Sequence, residues 1–417
     1  MADIRPFKAF RPTRDKVHLV ASRSYVSYSK KALRSKLDEN PFTFLHILNP
    51  EYRQKKQSNA NSVERFKKTK AKFEEFVHTQ ILTQDEQENY YVYRQIKNGH
   101  PYLGIIACAS VEDYFNDTIK KHEATLTHRE EIFKNYLKTV EINAEPVCFT
   151  YPNHERIDEI TQETILQSPE YDFTTTNRVR HTFWIISTEE KIKELRDCFA
   201  ALPSIYIADG HHRSASSALL GKELKEANPA HTGEEAYNFF MGYFIPESHI
   251  QVFEFNRMVT SIGDLSVGLF LKKLQEKFEV IFVEGKTFRP EKTHEIGMYI
   301  AGKWYCLIPK EALIEEHNPV QKLDVSILTE HILSPILGIH DLKTDERIYF
   351  KGGLEDIQEI MKEVDQGLAE VAFTHYPVSI HALKEIADRG EIMPPKSTWV
   401  EPKLRSGLSI YSSGNDE

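Results

Sequence analysis

Apolar and polar positions along the chain predict a mixture of strands and helices. β-branched and aromatic runs at 90–96 and 102–109 flank Asn98-Gly99 and predict a hairpin whose loop is longer than two residues. Other short apolar or alternating runs predict strands at 17–21, 42–48, 147–151, 179–186, 203–208, 237–245 and 280–283, with a further hairpin near 298–308. Helical periodicity covers 29–37, 62–81, the polar stretch 111–140, 189–200, 214–227 and 265–278. The pattern therefore predicts a mixed α/β fold.

The length of the chain and one change in composition suggest how it divides. A chain of 417 residues is too long for one typical core. The helix predicted at 214–227 ends before Asn228-Pro229, and the pattern starts afresh after Arg257. We predict an N-terminal α/β lobe at 1–110, a central domain at 111–260, and a C-terminal α+β lobe at 261–417. The tail of the last lobe is expected to fold back on the central domain.

Composition excludes several classes of protein. The net charge is −9 and the basic residues are dispersed, so nucleic acid is not an expected partner. Four widely separated cysteines, Cys108, Cys148, Cys198 and Cys306, predict reduced thiols rather than a zinc site. The first 12 residues lack a secretory core, and the longest apolar run, near 103–111, is too short for a bilayer. A cytoplasmic protein without a membrane partner is expected.

The strongest chemical signal lies where the strand at 203–208 meets a helix of small residues. Asp209 is predicted to cap that helix, and Gly210 to allow a tight turn or a close ligand. A helix N-terminus favours phosphate, and His211, His212 and Arg213 would add donors at the same point. The alternative is structural: a capping aspartate, locally bonded histidines and a surface ion pair of the arginine.

A metal is a second interpretation of the same cluster. A transition metal held by Asp209, His211 and His212 is disfavoured, because adjacent histidines usually point in different directions. Mg²⁺ shared between Asp209 and a phosphate is the better prediction, since carboxylate oxygen suits that ion.

Two other segments could contribute. Glu123, after His122, is a candidate general base, although a solvated helix face explains it equally well. The segment 393–407 contains prolines, hydroxyls and cations, and would form a second anion clamp if it folded back. As an isolated tail it would be a basic extended segment. Its candidate ligands are Lys396, Ser397, Thr398, Lys403 and Arg405.

Five segments together resemble the domain of unknown function family 1015 over the whole chain. They are Arg5-Pro6-Phe7-Lys8-Ala9, Asn40-Pro41, Lys121-His122-Glu123-Ala124-Thr125, Ile207-Ala208-Asp209-Gly210-His211-His212-Arg213 and Pro394-Pro395-Lys396-Ser397-Thr398. One position departs from the pattern, because Ser24-Tyr25-Val26 has no aspartate after the tyrosine. This resemblance supplies no reaction by itself.

The central motif also resembles the ParB/sulfiredoxin superfamily, which implies a ParB/sulfiredoxin-like core with additional N- and C-terminal α/β lobes. Sulfiredoxin chemistry is excluded, because His211 stands where a cysteine is needed, and the ParB pattern is matched only at Gly210 and Arg213. The free serine kinases of the superfamily carry Asp-Gly-His-x-Arg, which Asp209, Gly210, His211 and Arg213 match. The resemblance implies an upstream glutamate base, a role that Glu123 would fill.

These observations lead to one hypothesis and one alternative. The hypothesis is a phosphotransferase that uses ATP or ADP with Mg²⁺ and acts on a small hydroxyl metabolite, serine or phosphoserine, in either direction. Glu123, Asp209 and His211 would be catalytic, and Gly210, His212, Arg213, Lys396, Ser397, Thr398 and Lys403 would bind the nucleotide. The alternative is a regulatory protein that binds a nucleotide or phosphometabolite without chemistry. Nucleotide identity, reaction direction and oligomeric state, including a homo-oligomer, stay open.

Overall fold

The computed structural model describes residues 1–352 and 356–414, which form a mixed α/β structure. The chain forms two compact units. Unit 1 contains Met1–Lys120, Thr125–Ile250 and Pro402–Glu417, and unit 2 contains Lys121–Ala124 and Gln251–Glu401.

Strands and helices alternate along most of the chain. The strands are β1 Ile4–Arg5, β2 Phe10–Pro12, β3 Leu82–Gln84, β4 Tyr90–Lys97, β5 His100–Ser110, β6 Ile119–Lys120, β7 Ile142–Asn143, β8 Val147–Tyr151, β9 Tyr171–Thr174, β10 Arg180–Ile186, β11 Ile205–Asp209, β12 Phe239–Pro246, β13 Gln251–Phe253, β14 Phe255–Val259, β15 Phe278–Val283, β16 Ile296–Ile300, β17 Lys303–Pro309, β18 Ile348–Gly352, β19 Val371–His375, β20 Trp399–Glu401 and β21 Tyr411–Ser412. The helices are α1 Val17–Val20, α2 Lys30–Glu39, α3 Leu45–Leu48, α4 Val63–His78, α5 Val111–Phe115, α6 Thr127–Val140, α7 Glu155–Ile165, α8 Glu189–Ala201, α9 His211–Ala227, α10 Val267–Gln275, α11 Asp324–Leu328, α12 Ile357–Asp365 and α13 Ile380–Asp388. None of the helices between residues 1–352 and 356–414 has both the length and the apolar character that a membrane crossing requires.

Unit 1 is built on a mixed sheet in the order β6-β11-β8-β12-β5-β4-β10-β9, with β1 added to β5. The predicted hairpin β4–β5 is confirmed, but Lys97 pairs with His100, so only Asn98 and Gly99 form the turn. Both have positive φ, 51° and 80°, as the tightest hairpin turns require. Apolar residues of β5, β8 and β12 form the core of this unit under α7 and α8.

Unit 2 contains a second sheet in the order β15-β17-β16-β19-β14-β18. Val259 and Phe373 lie in a core on one side of this sheet, with residues of α10 and α11. Met258 and Ala372 lie in a second core on the other side, with α12. The central strands β14 and β19 are therefore covered on both faces, and a polar side chain on them is buried.

Three predicted elements were wrong. Residues 17–20 and 45–48 are short helices rather than strands, because short apolar runs do not separate a strand from a helix turn that packs on other helices. Asn40 and Asn49 bond to nearby backbone groups and hold the turns around α3. The stretch 111–140 is also not continuous, since β6 and irregular residues separate α5 from α6.

The predicted boundaries near 110 and 260 do not coincide with the two units. β5 pairs with β12, and β4 pairs with β10, so the predicted N-terminal lobe and central domain share one sheet. Long-range strand pairing of this kind leaves no signal in a local pattern. The second unit begins at Gln251, somewhat before the predicted boundary.

Candidate functional site

The site begins with a bulge at the end of β11. Tyr206 and Ile207 pair in register with Thr150 and Phe149 of β8, and the register then shifts so that Asp209 pairs with Cys148. Ala208 is the extra residue, and it is buried. A bulge turns the side chains that follow it, and Asp209, the last residue of β11, keeps 42% of its side chain exposed.

Gly210 joins this strand to α9. Its φ of 104° lies in the left-handed region, which a side chain strongly disfavours. A Cβ atom here would also lie 2.9 Å from Nη2 of Arg213, so the glycine lets the guanidinium fold back over the turn. Gly210 is the N-cap residue, and no side chain caps the helix. The prediction that Asp209 caps α9 was therefore wrong, because the helix begins at His211 and its N-cap position falls one residue after the aspartate.

The carboxylate of Asp209 instead binds a lysine that follows it by 194 residues. Nζ of Lys403 donates to Oδ2 of Asp209 at 2.8 Å. Burial raises the pKa of Asp209, but the charges of Lys403 and Arg213 outweigh that effect and lower the pKa to about 2. Asp209 is therefore ionised at neutral pH and lies in a positive local field.

Arg213 pairs with a second carboxylate. Its Nη1 donates to Oε1 of Glu145, and the hydroxyl of Ser406 donates to Oε2 of the same glutamate at 3.1 Å. Burial lowers the pKa of Arg213, whereas Glu145 and Asp209 raise it, and the net shift is upward. Glu145 was not predicted, since no motif marks it, and Ser406 lies in the segment 393–407 but was not among its candidate ligands.

The C-terminal residues run alongside this cluster within unit 1. Ser406 and Ser22 exchange backbone hydrogen bonds, at 3.1 and 2.9 Å, and β21 pairs with β7. Of the tail's predicted ligands, Lys403 reaches Asp209, while Arg405 donates to Thr175 and Asn177. The return of residues 402–414 onto the unit that carries the motif is thus a feature of the fold.

Helix α9 is anchored by its small residues. His211 is 4% exposed, and Ser214, Ala215, Ser216 and Ala218 are buried. The hydroxyl of Ser216 lies 2.7 Å from the carbonyl of His212 in its own helix and 3.2 Å from the carbonyl of Glu130, and the second contact ties α9 to α6. These contacts fix the first turn of the helix relative to the strand that precedes it, as a preorganised site requires.

Four predicted residues belong to unit 2: Glu123, Lys396, Ser397 and Thr398. Glu123 is exposed, as the alternative of a solvated position predicts, but it lies in an irregular segment rather than on a helix. The carbonyl of His122, the residue before Glu123, accepts a hydrogen bond from the backbone N–H of Met393 at 2.9 Å. Ser397 is buried and donates to the Pro394 carbonyl at 2.7 Å, and Lys396 lies 5.2 Å from the centre of the Phe255 ring.

The residues present can accommodate Mg²⁺ only with help from a ligand. Within residues 1–352 and 356–414, no group of three histidine, cysteine or acidic side chains forms a metal cluster. Asp209 offers one ionised, partly exposed carboxylate. Mg²⁺ commonly uses one or two carboxylates together with substrate phosphates, so the aspartate fits an ion that a nucleotide brings.

Comparison with known proteins identifies a family and several distant structures. The family model described as "Protein of unknown function (DUF1015)" matches residues 4–326. A mutant free serine kinase in complex with ADP is 14% identical, with 74% of this chain and 91% of that chain covered and a TM-score of 0.39. A conserved hypothetical protein from Pyrococcus furiosus is 13% identical over 72% of this chain and 93% of that chain, with a TM-score of 0.35. SbnI from Staphylococcus aureus, truncated at its C-terminus, is 13% identical over 71% and 82%, with a TM-score of 0.36. Among curated protein sequences, no match is found.

Proposed function

The chain belongs to the DUF1015 family, and we propose that it is a nucleotide-dependent phosphotransferase acting on a small hydroxyl metabolite. The observation that carries the proposal is the arrangement of Asp209, Lys403, Arg213 and Glu145 around the start of α9. Serine, or phosphoserine in the reverse direction, is the substrate that the Asp-Gly-His-x-Arg resemblance favours. ATP or ADP is the proposed nucleotide.

The two cations of the cluster supply the chemistry that phosphates need. Arg213 and Lys403 carry positive charge beside the first turn of α9, whose helix dipole also favours an anion. Their present partners are Glu145 and Asp209, which hold them in position. A phosphate that binds here would compete with the two carboxylates for donors that are already oriented, and less side-chain freedom would be lost.

Asp209 is the proposed catalytic carboxylate of unit 1. Since its pKa is about 2, it is available to orient a hydroxyl group or to hold Mg²⁺ at neutral pH. Mg²⁺, when bound with the nucleotide, would neutralise charge on the phosphates. In the proposed reaction, Glu123 accepts the proton of the substrate hydroxyl group. The hydroxyl oxygen of the substrate then attacks the terminal phosphorus of the nucleotide, and the nucleotide leaves with one phosphate fewer. His211 and His212 would add donors to the phosphates.

An activity screen tests this proposal directly. The full-length protein is mixed with ATP or ADP, Mg²⁺ and L-serine, and phosphorus NMR follows the nucleotide and any new phosphate ester. The reverse direction is tested with O-phosphoserine and AMP or ADP. Product formation supports the phosphotransferase. Nucleotide binding by calorimetry without turnover in either direction would instead support the regulatory alternative.

The role of Glu123 needs a separate test. Glu123→Gln keeps the size of the side chain but removes the base, so turnover should fall while nucleotide affinity is retained. Glu226→Gln, at an exposed position on α9, is the matched control. Equal turnover in the two variants would remove Glu123 from the mechanism.

A further inference from the structure

Unit 2 contains a buried arginine on a central strand. Arg257 lies on β14, which pairs with β19 on one side and with β18 on the other. Its relative exposure is 0%. Phe373 and Phe350 are its neighbours across the two strand pairs, and its guanidinium lies 5.6 Å from the centre of the Phe350 ring. The charge is therefore placed in largely aromatic surroundings.

The guanidinium is only partly satisfied. Nη1 donates to the Phe255 carbonyl at 2.6 Å, whereas Nε and Nη2 have no hydrogen-bond partner among residues 1–352 and 356–414. Burial lowers the pKa of Arg257 to about 9, so the group still carries its charge at neutral pH. An unpaired charge in a protein interior costs several kcal/mol, on the order of the effective penalty for burying an ion. An anion bound at this edge of the guanidinium would offset that cost.

A second buried donor lies on the same face of the sheet. Alternation along β14 places Phe255 and Arg257 on one face, and the pairing of Arg257 with Phe373 places His375 opposite Phe255. His375 is 3% exposed, and neither ring nitrogen has a hydrogen-bond partner among the described residues. Burial and the Arg257 charge hold the pKa of His375 well below its usual value, although the Phe255 carbonyl, which lies near the ring without a hydrogen bond of good geometry, opposes the shift. A neutral imidazole keeps one N–H to donate.

Charged groups also lie around Phe255, at one end of this face. Lys396 is exposed, and its ammonium lies 5.2 Å from the centre of the Phe255 ring. Glu254, the carboxylate next to this strand, pairs with Arg289 at 3.0 Å. The end of the face near Phe255 is thus bordered by an exposed lysine, whose charge favours an anion there.

We propose that Arg257 and His375, both in unit 2, bind an oxyanion, the carboxylate or phosphate group of a small metabolite. The unoccupied edge of the guanidinium carries Nε–H and Nη2–H, which are nearly parallel donors. That edge matches two oxygens of a carboxylate or a phosphate, and Lys cannot reproduce the match. His375 supplies a third donor, and Lys396 adds charge at the outer end.

Anion titrations of the full-length protein test the proposal. Inorganic phosphate and acetate are titrated separately at constant ionic strength, and the melting temperature and calorimetric heat are recorded. We expect one of the two anions, or both, to raise the melting temperature of the wild-type protein, and the better ligand identifies the group. Arg257→Lys keeps the charge but loses the two nearly parallel N–H donors, so the affinity for the anion should fall about tenfold or more. Arg389→Lys, at an exposed arginine already paired with Glu385, is the control and should bind as the wild type does.

Two further variants separate this site from the other cluster and from a folding defect. The anion response should persist in Arg213→Ala, which removes a cation of the α9 cluster. Arg257→Met should fold with equal or higher stability without ligand, because an unpaired buried charge is removed, and it should show no anion response. The proposal is overturned if neither anion affects the wild-type protein, or if Arg257→Lys responds as the wild type does.

Discussion

The chain holds two groups of cationic side chains that differ in what surrounds them. At the start of α9, Lys403 and Arg213 each bind a carboxylate, and the side chains in these pairs keep between 22% and 42% exposure. On β14, Arg257 is fully buried and has only the Phe255 carbonyl as a hydrogen-bond partner among the described residues. The comparison shows that opposite charges hold Lys403 and Arg213 in place, whereas strand packing holds Arg257.

This difference determines what a substitution should do. In the α9 cluster, removing one partner leaves the opposite charge partly solvated, so function should suffer more than folding. On β14, removing the charge leaves no ion behind, so folding should gain or stay unchanged while anion binding is lost. The following variants test the first half of this contrast, beginning with the largest expected effect.

Asp209→Asn should have the largest effect on turnover. Asparagine retains the size and can still accept a hydrogen bond from Lys403, so the fold should persist, but the negative charge needed at this point is lost. We expect turnover to fall about 100-fold or more, as for loss of a group that positions the substrate. Asp197→Asn, at an exposed carboxylate that also pairs with a lysine, is the matched control. If the two variants had equal turnover, Asp209 would be only a structural ion-pair partner.

Arg213→Ala should weaken nucleotide binding. A hydrogen bond to a charged group contributes about 1.5–3 kcal/mol, which corresponds to roughly a 10- to 150-fold loss of affinity. Calorimetric titration with ATP and ADP measures this loss, and Arg389→Ala is the control. Unchanged affinity would mean that Arg213 only forms its ion pair with Glu145 and that the phosphates bind elsewhere.

Gly210→Ala should lower stability by a smaller amount. A side chain at positive φ costs about 1–2 kcal/mol, and the new Cβ would also press on the Arg213 guanidinium. Urea denaturation measures the free energy of unfolding. Gly268→Ala is the control, because Gly268 lies within α10 with open space around it. This control variant should be slightly more stable than the wild-type protein. Equal behaviour of the two variants would contradict a strained turn at Gly210.

Lys403→Met should have the smallest effect on stability and a distinctive dependence on pH. The pKa of Asp209 is about 2 in the folded protein, below its ordinary value of 3.8, so the ion pair stabilises the fold above about pH 4. That contribution is lost as the pH falls from 4 towards 2. Because both side chains are about two-fifths exposed, we expect a difference of about 0.5 kcal/mol at neutral pH.

Unfolding curves between pH 2 and pH 7 measure this effect. The stability of the wild-type protein should approach that of Lys403→Met as the acid limit is reached. Lys193→Met, which breaks the more exposed pair with Asp197, is the control and should show a weaker dependence. A constant difference over the whole range would show that Lys403 acts through packing rather than through the charge of Asp209.

The sequence by itself determined the elements whose signal is local. Alternating aromatic and β-branched residues around Asn98-Gly99 specified the β4–β5 hairpin, since the two turn residues tolerate positive φ. The compact strand before Asp209 and the small residues after Gly210 likewise specified β11 and α9. The family of the chain was also evident from its motifs, and the match over residues 4–326 agrees.

Only the tertiary structure decided which partners the motif acquires. Lys403 pairs with Asp209, 194 residues away in the sequence, and Glu145 pairs with Arg213, 68 residues away. Neither pairing is indicated by a periodic pattern in the sequence. The bulge that turns Asp209 away from the helix cap depends on how β11 pairs with β8. The burial of Arg257 likewise depends on β18 and β19, which pair with the two edges of β14. Local preference fixes where the chain turns, but the neighbours of a charge are set by strand pairing and packing, which sum over residues far apart in sequence.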